Sequence, residues 1–180
     1  MRVLHIAPVH ILAQNHLLAL LPALRLLGIK TELLVIFPQH PPSPVVMAGM
    51  KRGHVPMYGL KLPTMAEMNH PNTPQAILEV TQFIQSRHAD IVHTHLADGD
   101  FFGGFGARWG NIEHRVSTRY DAGENRSGEH WRSVAGLFMR HIALSDDIAK
   151  TILADGVPSE HIVTIADAKD IKGVYQTILR

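Results

Sequence analysis

The stretch DIVHTHLADGDFFGG, residues 90–104, concentrates the side chains best suited to chemistry: His93 and His95 one residue apart, then Asp98 and Asp100 ahead of a glycine pair. On a strand, side chains two apart share a face with Cα atoms about 6.5 Å apart, so both imidazoles could reach one metal ion or one ligand. The H-x-H-x-D-H order of metal-dependent hydrolases has its aspartate four residues after the first histidine. Here that position is Ala97, and Asp98 falls one residue late. The register points away from a catalytic metal, and none is expected. His93 then reads as a satisfied strand histidine, while His95 stays open between ligand contact and a structural role. Asp98 reads as the N-cap of the following helix, with Asp100 in its first turn, and is kept as a candidate ligand contact. The glycines at 99, 103, 104 and 106 do not form G-x-G-x-x-G after a strand, so close packing of a helix on a sheet accounts for them more simply.

The elements that must position these groups are legible as an alternation. RVLHIA is a short strand; LAQNHLLALLPALRLLG repeats leucine at helical spacing and stops at Gly28; TELLVIF is an almost wholly apolar strand, the pattern of a parallel sheet buried on both faces. Residues 38–53, rich in proline, read as an irregular excursion into a short strand, HVPMYGL. TPQAILEVTQFIQSR is a helix with Thr73 as N-cap, DIVHT a strand, HRVSTR another strand, and EHWRSVAGLFMR a helix. HIALS is a further strand, SDDIAKTILADG a helix capped by Ser145 and closed at Gly156, HIVTIA a last strand and AKDIKGVYQTILR a closing helix. The expected fold is α/β: a single Rossmann-like, doubly wound, mostly parallel sheet of six or seven strands with helices on both faces, spanning residues 1–180. Ligand is expected beyond the carboxyl ends of the strands.

Composition narrows the partners. The chain of 180 residues has 17 Lys plus Arg against 16 Asp plus Glu, a formal charge of +1, which does not make the field that nucleic-acid binding usually needs. It has no cysteine, which excludes disulfides, thiolate nucleophiles and cysteine-ligated zinc. Its most apolar stretch, LLALLPALRLLG, is interrupted by Pro22 and Arg25, and the first residues lack the apolar core and cleavage site of a signal peptide. A cytoplasmic location with at most peripheral membrane contact is the expectation.

Three stretches carry a resemblance: HLLALLPALRLLG in the first helix, ADIVHTHLADGDFFG in the middle and HIALSDDIAKTILADGVPSEHIVTI near the end. In this order and at these separations they resemble the amino-terminal domain of family 4 glycosyltransferases of the GT-B fold, over roughly residues 1 to 165. The resemblance implies an acceptor-side domain that faces a nucleotide-sugar-binding domain across a cleft, with a hexosyl group transferred with retention of configuration. It also implies that His95, by position, lies against the donor sugar and is the catalytic candidate. The chain departs from the family in three places. Pro8, Val9, His10, Ile11 and Leu12 stand where a glycine pair is common, Tyr120 stands where a histidine is usual, and the carboxyl-terminal nucleotide-sugar-binding domain is absent from these residues.

The loops at 8–16, 38–53 and 119–129 are expected to form the cleft mouth. They supply His10, Asn15, Lys51, Arg52, Arg119 and Tyr120 as candidate substrate contacts beside Asp98. Lys51 and Arg52 could hold an anionic acceptor or lipid head group, or simply be solvated. The expected partners are a nucleotide-sugar donor, a sugar or lipid acceptor, and either a chain carrying the second domain or a second copy; no cofactor is expected. The alternative is a non-catalytic binding or regulatory module derived from the same domain.

Overall fold

The computed structural model describes residues 1–14, 16–63, 71–120 and 129–180, with the backbone alone for residues 13, 14 and 129–131. The elements run β1 (Arg2–Pro8), a 3-10 turn (Val9–Gln14), α1 (His16–Leu26), β2 (Lys30–Phe37), α2 (Pro44–Arg52), β3 (Met57–Lys61), α3 (Thr73–Arg87) and β4 (Ile91–His95). The second half continues with α4 (Leu96–Trp109), β5 (His114–Arg119), α5 (Glu129–Ala135), β6 (Arg140–Ala143), α6 (Asp146–Ala154), β7 (Ile162–Thr164) and α7 (Ala168–Ile178). All the strand pairs are parallel, in one seven-stranded sheet of order β3-β2-β1-β4-β5-β6-β7. The order reverses between β1 and β4, and that reversal defines where a crevice opens at the strand carboxyl ends.

Because side chains alternate along each strand, the sheet serves two cores. Val3, Ala7, Leu33, Val35, Ile91, Val116 and Ile142 pack against α1, Met50 of α2, and α7. Leu4, Ile6, Leu34, Ile36 and Val92 pack on the opposite face with residues of α3, α4, α5 and α6. The near-continuous apolar strands read from sequence are thus strands covered on both sides, as a doubly wound sheet requires.

Three local expectations are corrected. Residues 44–52 form a helix, because Ser43 accepts from the Val46 amide and Pro44 occupies the first turn, where its missing N–H costs nothing. The N-cap of α3 is Asn72, not Thr73, which is already helical. Asp98 does not cap α4: the helix begins at Leu96, directly after the strand, so Asp98 lies within its first turn and Asp100 two residues further on. The expectations at Gly28 (φ 82°), Gly156 (φ 92°) and the Ser145 cap, whose side chain accepts from the Ile148 amide, agree with the structure.

Candidate functional site

β1 and β4 lie side by side with His5 in register with His93. His95 projects from the same face two residues later, so three imidazoles meet beneath the strand carboxyl ends; all three are fully buried. Ring centroids are 4.3 Å apart for His93 and His95, 5.0 Å for His5 and His93, and 5.2 Å for His5 and His95. Hydroxyl groups surround them. The Tyr175 hydroxyl, from α7, lies 2.5 Å from His93 Nδ1, and Thr118 Oγ1, from β5, lies 2.6 Å from His93 Nε2. His95 Nε2 is 2.9 Å from His5 Nδ1, and His95 Nδ1 is 2.7 Å from the Tyr120 hydroxyl. His93 is the satisfied strand histidine expected from its position.

These hydrogen bonds imply a proton arrangement. His5 Nε2 is buried without a partner, and an unpaired lone pair is better tolerated in a core than an unpaired N–H. The His5 proton therefore sits on Nδ1 and is donated to His95 Nε2. His95 in turn carries its proton on Nδ1 and donates it to the Tyr120 oxygen, which leaves the Tyr120 O–H free to donate onward. Burial holds all three rings neutral. It lowers His5 to about 3 and pushes His93 and His95 well below the usual imidazole value, helped at His93 by repulsion from His95 and His5 and at His95 by repulsion from His5. Burial, with the Asp100 carboxylate nearby, raises Tyr120 far above the usual phenol value and keeps it protonated.

Tyr120 is the only partly buried member of this chain of contacts, and it stands over His95 with its ring edge-on to His16 (centroids 5.8 Å). A ligand hydroxyl reaches His95 Nδ1 only by replacing the Tyr120 hydroxyl. Removing that hydroxyl in Tyr120→Phe strands the His95 N–H in the core; the expected loss, measured by urea unfolding, is about 1–3 kcal/mol. No change in stability would mean that His95 finds another partner.

The turn from β4 into α4 holds His95 in place. Strand and helix follow without a loop, which forces Leu96 to a left-handed φ of 62°, a conformation costly for a bulky side chain and found chiefly where surrounding structure imposes it. On the far face of the sheet the buried Asp100 accepts from Thr94 Oγ1 and, at 2.8 Å, from Ser117 Oγ, tying the first turns of α4 to β4 and β5.

Two cavities open at the strand carboxyl ends. One, of about 220 Å³, lies between α1 and α7 and is lined by His16, Leu20, Tyr120, Leu144, Ile165 and Asp167. The other, also about 220 Å³, is bounded by Pro8, His10, Phe37, Leu62 and Asp98. The structure thus brings His10 and Asp98 together and sets Tyr120 over His95. It does not bring the remaining candidates there. Lys51 and Arg52 end α2, and Lys51 lines a separate cavity with Arg25, His54 and Met57 at the start of β3, the opposite edge of the sheet. Arg119 is buried on the other face, paired with Asp155 at 2.6 Å. Asn15 lies outside the described residues. Sequence reasoning missed His5, Thr118 and Tyr175; the signal for His5 was its place on the inward face of β1, but nothing local joined it to β4.

No protein-family model matches the chain, and no curated protein matches its sequence. Solved structures do match. The apo lipopolysaccharide outer core galactosyltransferase WaaB is 10% identical with a TM-score of 0.69, over 91% of this chain and 44% of that one. UDP-GlcNAc 2-epimerase from Neisseria meningitidis, bound to UDP-GlcNAc, is 15% identical with a TM-score of 0.66, over 99% and 51%. Anabaena Alr3699/HepE, in complex with UDP and glucose, is 14% identical with a TM-score of 0.67, over 99% and 50%. The chain spans about half the length of these structures. Among the described residues no helix is long and apolar enough to cross a membrane. At these identities the likeness is one of fold, and the chain has the Rossmann-like, all-parallel architecture of a GT-B half-domain.

Proposed function

We propose that this chain is the acceptor-side wall of a nucleotide-sugar-dependent transferase of the retaining, family 4 type. The opposite wall would come from a second domain, on a partner chain, a second copy or further sequence. The observation that carries this reading is the placement of His95. It ends β4 at the reversal of strand order, hydrogen-bonded to a single partly buried hydroxyl, Tyr120, with a cavity at the strand ends on either side. A sugar hydroxyl that takes the place of the Tyr120 hydroxyl would accept from His95 Nδ1–H. The architecture of the solved structures, about twice as long as this chain, supports a missing wall. So does arithmetic: one positioned histidine contributes about 10²- to 10⁴-fold, whereas enzymes accelerate by at least about 10⁶-fold. The departing nucleotide needs groups that the described residues of this half do not assemble.

The test is an amide-resolved NMR titration of the chain with glucose, galactose, their methyl glycosides and UDP-glucose. Saturable shifts at Thr118, Tyr120, His10 and Asp98 are expected, weakened at least about tenfold by His95→Ala. The reading fails if no sugar perturbs that edge, or if His95→Ala leaves the titration unchanged. An epimerase shares this fold, so UDP-N-acetylglucosamine should also be incubated with the chain; inversion at C2 without transfer to an acceptor would replace the transferase reading by an epimerase one.

A further inference from the structure

We propose that His5, His93 and His95 form a binding site for one divalent transition-metal ion, zinc, cobalt or nickel, held by one ring nitrogen from each. Among the described residues they are the one group of three such side chains whose ligand atoms converge, all lying within 4.8 Å of one another. The nitrogens that meet are His5 Nδ1 and His95 Nε2; His5 Nε2 is fully buried with no hydrogen-bond partner and takes up the ring proton when Nδ1 binds metal. Cores rarely gather three imidazoles without return, because each carries a desolvation cost that an apolar side chain would avoid.

The chemistry of the donors selects the ion. Three neutral imidazoles suit zinc, cobalt or nickel and offer nothing to calcium or magnesium, which take oxygen ligands. Zinc–nitrogen bonds of about 2.0–2.1 Å set the ligand nitrogens of a tetrahedral site roughly 3.3 Å apart. The His5–His95 pair, at 2.9 Å, needs only to part slightly. His93 must give up one of its bonds to Tyr175 or Thr118, and the other keeps its ring oriented, as a hydrogen bond on the second nitrogen does for metal-bound histidines. The fourth position falls to water, and the Tyr120 hydroxyl, on His95 Nδ1, keeps that ring oriented while Nε2 faces the metal. The H-x-H pair lacks its aspartate in sequence; the third ligand comes instead from β1.

The inference is independent of the sugar reading. The chain, stripped with chelator, is titrated with zinc and with cobalt and dialysed. One equivalent bound is expected, with the visible bands of four-coordinate cobalt and a raised unfolding temperature. His5→Phe should weaken binding at least about 100-fold, while His40→Asn and His54→Asn, which remove exposed histidines, should leave it unchanged. If His5→Phe does not fold, X-ray absorption of the zinc-loaded wild-type chain decides, three imidazole shells being expected. Binding well below one equivalent, binding that survives in folded His5→Phe, or a metal surrounded mainly by oxygen would each overturn the proposal.

Discussion

Acidification to about pH 5, with chelator present, is expected to remove about 2 kcal/mol of stability through His5 alone, with a further loss through His93 and His95. His5 is held at about 3 in the folded chain, and His93 and His95 well below their usual value, whereas all three titrate near 6.5 once unfolded. Below about pH 6.5 the unfolded chain therefore binds protons that the folded chain refuses. The stability is present in full above that pH and is lost as pH falls, at up to about 1.4 kcal/mol per pH unit for each ring, until the folded values are reached. Domains carry only about 5–15 kcal/mol in total, so a loss of this kind is a substantial part of the whole. Urea unfolding at a series of pH values checks this: a slope above one proton is expected, smaller in His5→Phe. A slope below one proton would show that the cluster is charged or open to water.

One substitution, glycine to alanine, is expected to act with opposite sign at two helical positions. A Cβ on Gly99 would meet the backbone oxygen of Ile6 at 2.8 Å, and that oxygen belongs to β1 at the centre of the sheet, which cannot yield. Gly99→Ala should therefore lift the start of α4 from the sheet, cost about 3 kcal/mol and open the cavity that holds Asp98. A Cβ on Gly49, within α2, meets nothing within 4 Å, so Gly49→Ala should gain about 0.5–1 kcal/mol from backbone entropy. Paired thermal and urea unfolding compares them; the same sign at both sites would refute the claim that close helix–sheet approach explains Gly99. The glycine-rich start of α4 is a packing device that places His95, Asp98 and Asp100.

How the site compares with its sequence follows from these contacts. TELLVIF declares itself a covered strand because its last five residues, Leu33 to Phe37, are apolar on both faces, and Gly28, Ser145 and Gly156 mark helix ends by rules that involve only neighbouring residues. Ser43–Pro44 obeys the same local rules, yet proline-rich surroundings disguise α2. Asp98 has the chemistry of a cap, but the helix begins two residues earlier, since the strand-to-helix turn at Leu96 is imposed by packing that no local pattern announces.

His93 and His95 sharing a strand face follows from spacing alone, and so does the alternation of strands and helices; the GT-B likeness comes from a resemblance of three stretches to a known family, and the fold agrees with it. Tertiary structure alone decided that β4 lies next to β1, which brings His5 from 88 positions away into register with His93. It also decided that His95 is covered by Tyr120, that Arg119 faces the other core, and that Lys51 and Arg52 stand at the far edge. The physical reason is that parallel strands are joined by crossovers. Which strands become neighbours, and which residues then face each other, is set by the burial of two whole helix layers and not by any interval along the chain.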